Sequence, residues 1–282
     1  MLPKMADTNI LEMKYSVLMS IYKKENAVYF RKAIQSMINQ TVMPSEIVIV
    51  KDGSLTDELN EAINDFLNSN ADLIRIIESI DNIGLGKALN LGLSHCKYDY
   101  IARMDTDDIS LPARCEKELR CFLEDSSLSI VGTWVNEFIE DETNIVSTRK
   151  VPCNYDEIFA FCKRRNPFNH PSVMYKRDDI LKVGGYADLR YGQDYDLFGR
   201  MLINGYKAVN INECLLLFRT TSDTIKRRKN KESIKNYIRT VNYFRKLKYS
   251  TIWDLFFVFF SQLAIYILPC NWVKILYKLI RR

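Results

Sequence analysis

An apolar run, Tyr98-Asp99-Tyr100-Ile101-Ala102-Arg103-Met104, stops at Asp105-Thr106-Asp107-Asp108. Carboxylates this close repel one another unless a cation offsets them, and hard divalent metals take oxygen ligands. An Asp-x-Asp at a strand's C-terminal end is therefore a candidate site for a metal carrying an anionic phosphate ligand, because open α/β sheets bind ligands beyond those ends. The competing reading is an acidic loop that merely caps a helix starting near Pro112. A second acidic group is Gly192-Gln193-Asp194-Tyr195-Asp196-Leu197-Phe198. On a helix, Asp194 shares its row with Leu197, Phe198 and Met201, so it turns inward, where its proton affinity and orientation can be tuned. An N-cap role fits the same spacing. Asp196 points elsewhere and has Arg200 four residues on, the spacing of a surface ion pair.

Short apolar runs alternating with helix-period segments must position these groups. Strands are expected at residues 15–21, 46–50, 73–77 and 99–104, with helices at 27–38, 57–67 and 86–93. Strands separated by helices of this length predict parallel βαβ units. Their C-terminal ends then share one edge: Ser20-Ile21-Tyr22, Asp52-Gly53-Ser54, Asp81-Asn82 and Asp105-Thr106-Asp107. Asp52 before Gly53 either accepts from a nucleobase N–H or initiates a tight turn. In the helix starting near Gly84, Leu85, Ala88, Leu89 and Leu93 form the buried stripe. Lys87 and Asn90 fall on another face, within reach of a phosphate or sugar. Gly84-Leu85-Gly86 lacks the third glycine of a dinucleotide fingerprint, and no P-loop is present. Beyond Ser129 the pattern is mixed, with strands expected at 130–138, 172–175 and 208–211 and helices at 155–162 and 194–204.

The chain of 282 residues, 47% hydrophobic and 27% charged, has the composition of a globular protein. Its net charge of +5 conceals a split. From Lys226 to Arg282 there are 14 Lys/Arg against only Glu232 and Asp254, whereas the first 225 residues carry 26 basic and 33 acidic side chains. Such asymmetry suggests a tail that meets something anionic. The seven cysteines show no metal-type spacing and read as small core residues in a reducing compartment. The first residues form no apolar signal segment, so a cytoplasmic location is expected. Residues 255–268, rich in Phe, are shorter than the roughly 20 residues that span a bilayer. The alternation of basic and apolar groups from Trp272 to Arg282 follows. A helix lying in the membrane interface accounts for both, and a helical hairpin packed on the domain or a partner is the alternative.

Taken together, the motifs resemble the family 2 glycosyltransferases of the GT-A fold, the inverting group that builds bacterial surface polysaccharides. The resemblance runs from about Tyr15 to Arg219. Its carriers are Val17-Leu18-Met19-Ser20-Ile21-Tyr22, Glu46 through Ser54, Asn82-Ile83-Gly84 with Ala88-Leu89-Asn90, and Ile101 through Asp108. Pro112, Arg114, His170-Pro171-Ser172, Gly184-Gly185-Tyr186 and Asp194-Tyr195-Asp196-Leu197 complete the set.

The resemblance implies an α/β, Rossmann-like GT-A fold over residues 1–222, with a mostly parallel central sheet flanked by helices. Residues 223–282 then form a basic, amphipathic, membrane-associated helical extension. It implies a UDP-sugar donor and a divalent metal, Mn²⁺ or Mg²⁺. Asp52 would read the uracil, and Ser20, Tyr22, Asn82, Lys87, Asn90 and Arg103 would line the nucleotide. Asp105 would contact ribose or metal, and Asp107 would ligate the metal. Asp194 matches the catalytic base, with His170, Gly185, Tyr186 and Gln193 on the acceptor side. The acceptor would be a glycan on a polyprenyl diphosphate, presented at the cytoplasmic face of the plasma membrane, where the protein docks peripherally on anionic lipid. No nucleic-acid partner is expected.

Two departures stand out. Gln193 occupies a position where the group often has Glu, and Thr220-Thr221 follow Arg219 where many members carry a His, which leaves the third metal ligand open. His95, at a helix end, reads as structural. Two further readings compete. A sugar nucleotidyltransferase would need a glycine-rich loop where this chain has Ser20-Ile21-Tyr22-Lys23-Lys24. A non-catalytic membrane- or nucleic-acid-binding scaffold would rest on the basic run from Lys226 to Lys248.

Overall fold

The computed structural model describes residues 10–220 and 229–269. In chain order its elements are β1 (Tyr15–Ile21), α1 (Ala27–Ile38), β2 (Glu46–Asp52), α2 (Asp57–Ser69), β3 (Ile74–Ser79), α3 (Leu85–His95) and β4 (Tyr100–Arg103). Then come β5 (Ile109–Ser110), α4 (Arg114–Glu124), β6 (Leu128–Ile139), β7 (Asp141–Arg149), α5 (Tyr155–Cys162) and β8 (Met174–Lys176). The series ends with α6 (Arg177–Lys182), α7 (Gln193–Ile203), β9 (Lys207–Arg219), α8 (Lys231–Lys246) and α9 (Ile252–Ile267).

The strands form one sheet in the order β3-β2-β1-β4-β8-β6-β9-β5, with β7 paired to β6. The first half is parallel, as the alternation with helices requires: β1 lies between β2 and β4, and β2 pairs with β3. Beyond β4 the sheet is mixed, so "mostly parallel" holds only for the half from β3 to β4. There β8 runs antiparallel to both β4 and β6, while β6 and β9 are parallel. Two strands escaped the sequence reading. β7 alternates no apolar face, and β5 has only two residues, too few to leave a periodic signal.

β1 is buried on both faces, which explains its nearly continuous apolar sequence. Val17, Met19 and Ile21 enter one core with Phe30, Ala33, Ile34 and Met37 of α1, spaced as one helical face. Leu18 faces a second core with Leu89 and Leu93 of α3. Helices therefore cover both faces of the sheet. Asn26 caps α1 by accepting from the Val28 and Tyr29 amides, and Thr56 caps α2. Gly92 lets α3 lie close to the sheet, since a β-carbon there would sit 2.3 Å from Leu18 Cδ1.

The second core extends past residue 222. Val241 and Phe244 of α8, with Tyr249 and Val258, belong to the same cluster as Leu197, Phe198 and Met201 of α7. A β-carbon on Gly199 would lie 1.9 Å from the Phe244 ring, so this glycine is what lets α8 dock. Helix α8, which follows the expected division after residue 222, thus packs into this second core. The sequence pattern of α8 is dominated by its charges, which hid that face. α9 carries a capping box between Thr251 and Asp254. No helix among the described residues is long and apolar enough to cross a membrane. The expected basic-apolar alternation from Trp272 to Arg282 lies outside the described residues, as do Thr221 and the cluster from Lys226 to Arg228.

Candidate active site

The four strand ends meet at one edge of the sheet. Asp52, closing β2, is buried and turned toward the loop before α3. Its carboxylate accepts from the amides of Ile83 (2.6 Å) and Gly84 (3.1 Å) and from Asn82 Nδ2 (3.0 Å). Gly53 takes φ +83°, and a β-carbon there would sit 2.9 Å from the Asn82 amide nitrogen. Both readings of Asp52 therefore have a basis. It holds the turn, and a carboxylate with about four acceptor positions retains one for a nucleobase N–H.

β4 delivers the acidic turn. Asp105, Asp107 and Asp108 bring one oxygen each within 4.8 Å of one another. Asp108 is buried; its Oδ1 accepts from the Arg219 amide at 2.8 Å, and its Oδ2 has no hydrogen-bond partner among the described residues. Burial, then the charges of Asp107 and Asp105, hold the Asp108 carboxyl well above its ordinary range. A buried orphan oxygen among three like charges fits a divalent cation. The helix-cap reading of this turn is not what the structure shows: no side chain caps α4, whose N-cap is Ala113. Among the described residues His170 is not a member of this cluster, so a third ligand would come from Asp108.

Arg219, at the end of β9, locks the turn. Its guanidinium is sandwiched between the rings of Tyr29 (3.7 Å) and Phe138 (4.4 Å) and donates to the Asp107 carbonyl (2.9 Å). The two-residue β5, paired antiparallel to β9, brings the two segments together. Arg103, only 1% exposed, pairs with Asp105 at 2.5 Å, and its Nε has no partner. Buried Arg114 ties this strand to the neighbouring loop, donating to the carbonyls of Arg103 (3.1 Å) and Pro171 (2.6 Å).

Across the edge stands α7, started by Gly192 in the left-handed region (φ +77°). Leu197, Phe198 and Met201 are buried, as the row containing Asp194 requires. Asp194 accepts from Asn166 Nδ2 at 2.7 Å. Burial raises its proton affinity, while amide hydrogen bonds and the Arg103 charge pull the other way and Asp105 adds to the rise. The sequence reading missed Asn166; the only signal was its place before Pro167 in a polar loop between two motif segments. Gln193 is buried, its Oε1 without a partner among the described residues, and Gly86 at the start of α3 makes room for the Ala187 carbonyl oxygen, which would lie 2.8 Å from a β-carbon there.

Other expected contacts fall differently. The Asn90 amide brackets Tyr186, donating to that residue's carbonyl and accepting from its amide, both at 2.8 Å. Gly185 is required there, because a β-carbon would meet Asn90 at 2.4 Å. Lys87 pairs with exposed Asp188 at 2.8 Å at the rim, a contact worth little in water. Ser20 is half-buried and Tyr22 exposed at the end of β1. The Tyr186 hydroxyl is buried against His170 Nε2 (3.0 Å) and Tyr175 (3.3 Å). Burial and then Arg103 hold His170 well below its ordinary range, hence neutral. The Asp196–Arg200 pair forms at 2.7 Å, but not on the surface: Asp196 is buried, and Arg200 also donates to the Gly185 carbonyl. His95 accepts the structural reading, with its Nδ1 2.9 Å from the Leu91 carbonyl.

A half-parallel α/β sheet, an acidic turn at its edge and the Asp194 carboxylate within the electrostatic reach of that turn are the arrangement expected of a GT-A-type glycosyltransferase. The chain belongs to glycosyl transferase family 2, whose pattern matches residues 16–184. It is therefore a glycosyltransferase, which sets aside the nucleotidyltransferase and scaffold readings. It is 36% identical over 267 residues to an uncharacterized glycosyltransferase of Haemophilus influenzae, covering 94% of this chain and 98% of that one. It is 34% identical over 272 residues to the UDP-Gal:α-D-GlcNAc-diphosphoundecaprenol β-1,3-galactosyltransferase of Escherichia coli, covering 95% and 97%. Among solved structures it resembles the mannosyltransferase PcManGT of Pyrobaculum calidifontis in complex with GDP-Man and Mn²⁺. That likeness has a TM-score of 0.61 at 15% identity and covers 96% of this chain and 81% of that one. At such identity the likeness speaks for the fold alone.

Proposed function

We propose that this enzyme transfers a sugar from a UDP-sugar, with inversion, to a hydroxyl of a glycan carried on a polyprenyl diphosphate, in bacterial surface-polysaccharide synthesis. The observation that carries the proposal is Asp194, oriented by Asn166 and placed within the electrostatic reach of Arg103 and Asp105. The acceptor hydroxyl loses its proton to Asp194 as its oxygen attacks the anomeric carbon. The bond from that carbon to the diphosphate breaks on the opposite face, and UDP leaves with the electron pair. A single displacement inverts the anomeric configuration, so an α-linked donor yields a β-linked product.

Asp105, Asp107 and Asp108 would hold a divalent cation, which when bound stabilises negative charge on the diphosphate. Arg103 adds a fixed, desolvated positive charge beside the same turn. The remaining acceptor position of Asp52 takes the uracil N–H, on a loop that Asn82 and Gly84 keep in place. Gln193 presents its free Oε1 toward the sugars. The E. coli relative's lipid-diphosphate acceptor supports the acceptor class. Exposed Trp253, Phe256, Phe257, Phe260 and Ile267 on α9 support peripheral docking on the cytoplasmic face of the plasma membrane.

Calorimetry with UDP, GDP, dTDP and CMP, each with and without Mn²⁺, tests the donor site on wild type and Asp107→Ala. Metal-dependent UDP binding that the variant loses is the expected result. Well-folded protein that binds no nucleotide would sink the proposal. Loss of transfer with retained UDP binding in Asp194→Asn, together with the anomeric configuration of the product by NMR, tests the base and the inversion.

A further inference from the structure

Helix α3 touches both halves of the site. At its start the Ile83 and Gly84 amides donate to the Asp52 carboxylate, the group proposed above to take the uracil N–H. Gly86 and Asn90, four residues apart, share one face of the helix. That face meets residues 185–187. Asn90 Nδ2 donates to the Tyr186 carbonyl and Asn90 Oδ1 accepts from the Tyr186 amide, both at 2.8 Å. A β-carbon on Gly86 would lie 2.8 Å from the Ala187 carbonyl oxygen and 3.6 Å from the Gln193 side chain. The nearest opposing atom at Gly86 is backbone, so no side chain there can swing aside.

The helix that carries the base grips the same segment. Arg200 of α7 pairs with Asp196 at 2.7 Å and donates to the carbonyls of Gly185 (2.7 Å) and Val183. Residues 183–187 are therefore a strap between α3 and α7. The Tyr186 side chain in that strap is buried, its hydroxyl within the electrostatic reach of Arg103, Asp194 and Asp105. Turning the Asn90 amide toward a ligand would break both of its bonds and leave the Tyr186 peptide groups without these partners, each bearing its full desolvation. We infer that Asn90 and Gly86 are positioning residues, which hold the Tyr186 strap and the start of α7 in register with the donor loop and so act on transfer rather than on nucleotide affinity. The inference rests on the transferase proposed above.

The test uses the full chain as wild type, Asn90→Ala and Gly86→Ala, with UDP and Mn²⁺ as the probe. Calorimetry measures UDP binding, and hydrogen–deuterium exchange follows residues 82–84 and 183–194 with and without UDP. In wild type, UDP slows exchange in both segments. In each variant UDP affinity stays within about twofold of wild type, as expected for residues that act through Tyr186 and Ala187. The slowing at 82–84 remains, and that at 183–194 is lost. With UDP-galactose and an N-acetylglucosaminyl diphosphate bearing a long alkyl chain, the substrate classes of the E. coli relative, kcat falls about tenfold or more while the donor KM holds, the scale of two lost hydrogen bonds. Binding and exchange decide the matter if the wild type uses another sugar. Alanine is the better helix former at residue 86, so a loss in Gly86→Ala does not come from helix propensity and serves where Asn90→Ala fails to fold. A UDP affinity at least about tenfold weaker in Asn90→Ala would place Asn90 on the nucleotide and overturn the inference. Slowing at 183–194 that is absent from wild type, or equal in all three proteins, would overturn it as well. These results leave the transferase proposal standing, whereas a wild type that binds no nucleotide removes both.

Discussion

Replacing Asn166 by Ala removes the side-chain donor that reaches the Asp194 carboxylate, a 2.7 Å hydrogen bond. The contact favours the ionised form, which is the form that accepts the acceptor's proton. A hydrogen bond to a charged group contributes about 1.5–3 kcal/mol, and one pKa unit corresponds to about 1.36 kcal/mol. The substitution therefore raises the proton affinity of Asp194 by about 1–2 units, and the lower end applies because the side chain retains some solvent access. The sign follows from the folded state. Burial already raises Asp194 above its ordinary range, so the wild-type acid limb of kcat/KM lies above that range, and activity is lost as pH falls through it. Asn166→Ala moves this limb upward. The assay is kcat/KM for sugar transfer against pH, with UDP binding measured in parallel to show an intact donor site. An acid limb that stays in place, with activity otherwise normal, would refute the assignment of Asn166 as the group that tunes the base. Full activity in Asp194→Asn would refute the base itself.

Asp108→Asn keeps the shape and the bond from the Arg219 amide but removes a buried charge facing Asp105 and Asp107. Mn²⁺ affinity by calorimetry falls about tenfold or more, the scale of lost support at metal sites. Because burial and like charges disfavour the native carboxylate, the metal-free variant melts no lower than wild type. Gly199→Ala drives a β-carbon into Phe244; overpacking of this kind costs about 1–3 kcal/mol, and thermal melting shows the loss. A companion Phe244→Leu change restores most of it if α8 docks as described. Glu118 is buried beside Arg114 and pushed up to about 8 by burial, with Arg114 pulling the other way. Its folded value is raised, so the stability from its neutral form declines as pH rises from the ordinary carboxylate range through about 8. Melting scans across that window show a smaller decline in Glu118→Gln than in wild type.

Much of this site was legible in one dimension because its positions follow from local periodicity. The strands β1 to β4 read as short apolar runs, nearly continuous in β1 and β2, and the helices between them repeat at 3.6 residues, which is enough to place four loop ends on one edge. The inward turn of Asp194 followed from its row with Leu197, Phe198 and Met201 in the same way. Less was legible where a contact spans the chain. Helical spacing set Asn90 apart from the buried face of its helix but did not name what it meets there, Tyr186, 96 residues away. Asp196 was placed on the surface because spacing reveals its partner Arg200 but not the loop that covers the pair.

The sequence by itself determined the acidic turn, the base candidate and the parallel half-sheet, since each rests on residues close enough in the chain to impose a period or a turn. Tertiary structure alone decided that Asn166 holds Asp194, that Arg219 reaches back between Tyr29 and Phe138 to lock the metal turn, and that α8 belongs to the core. Those contacts depend on β9 running beside β6 and on Gly199 admitting Phe244. A pairing between distant segments is set by the shape of the surfaces they bury, and no local pattern encodes that shape.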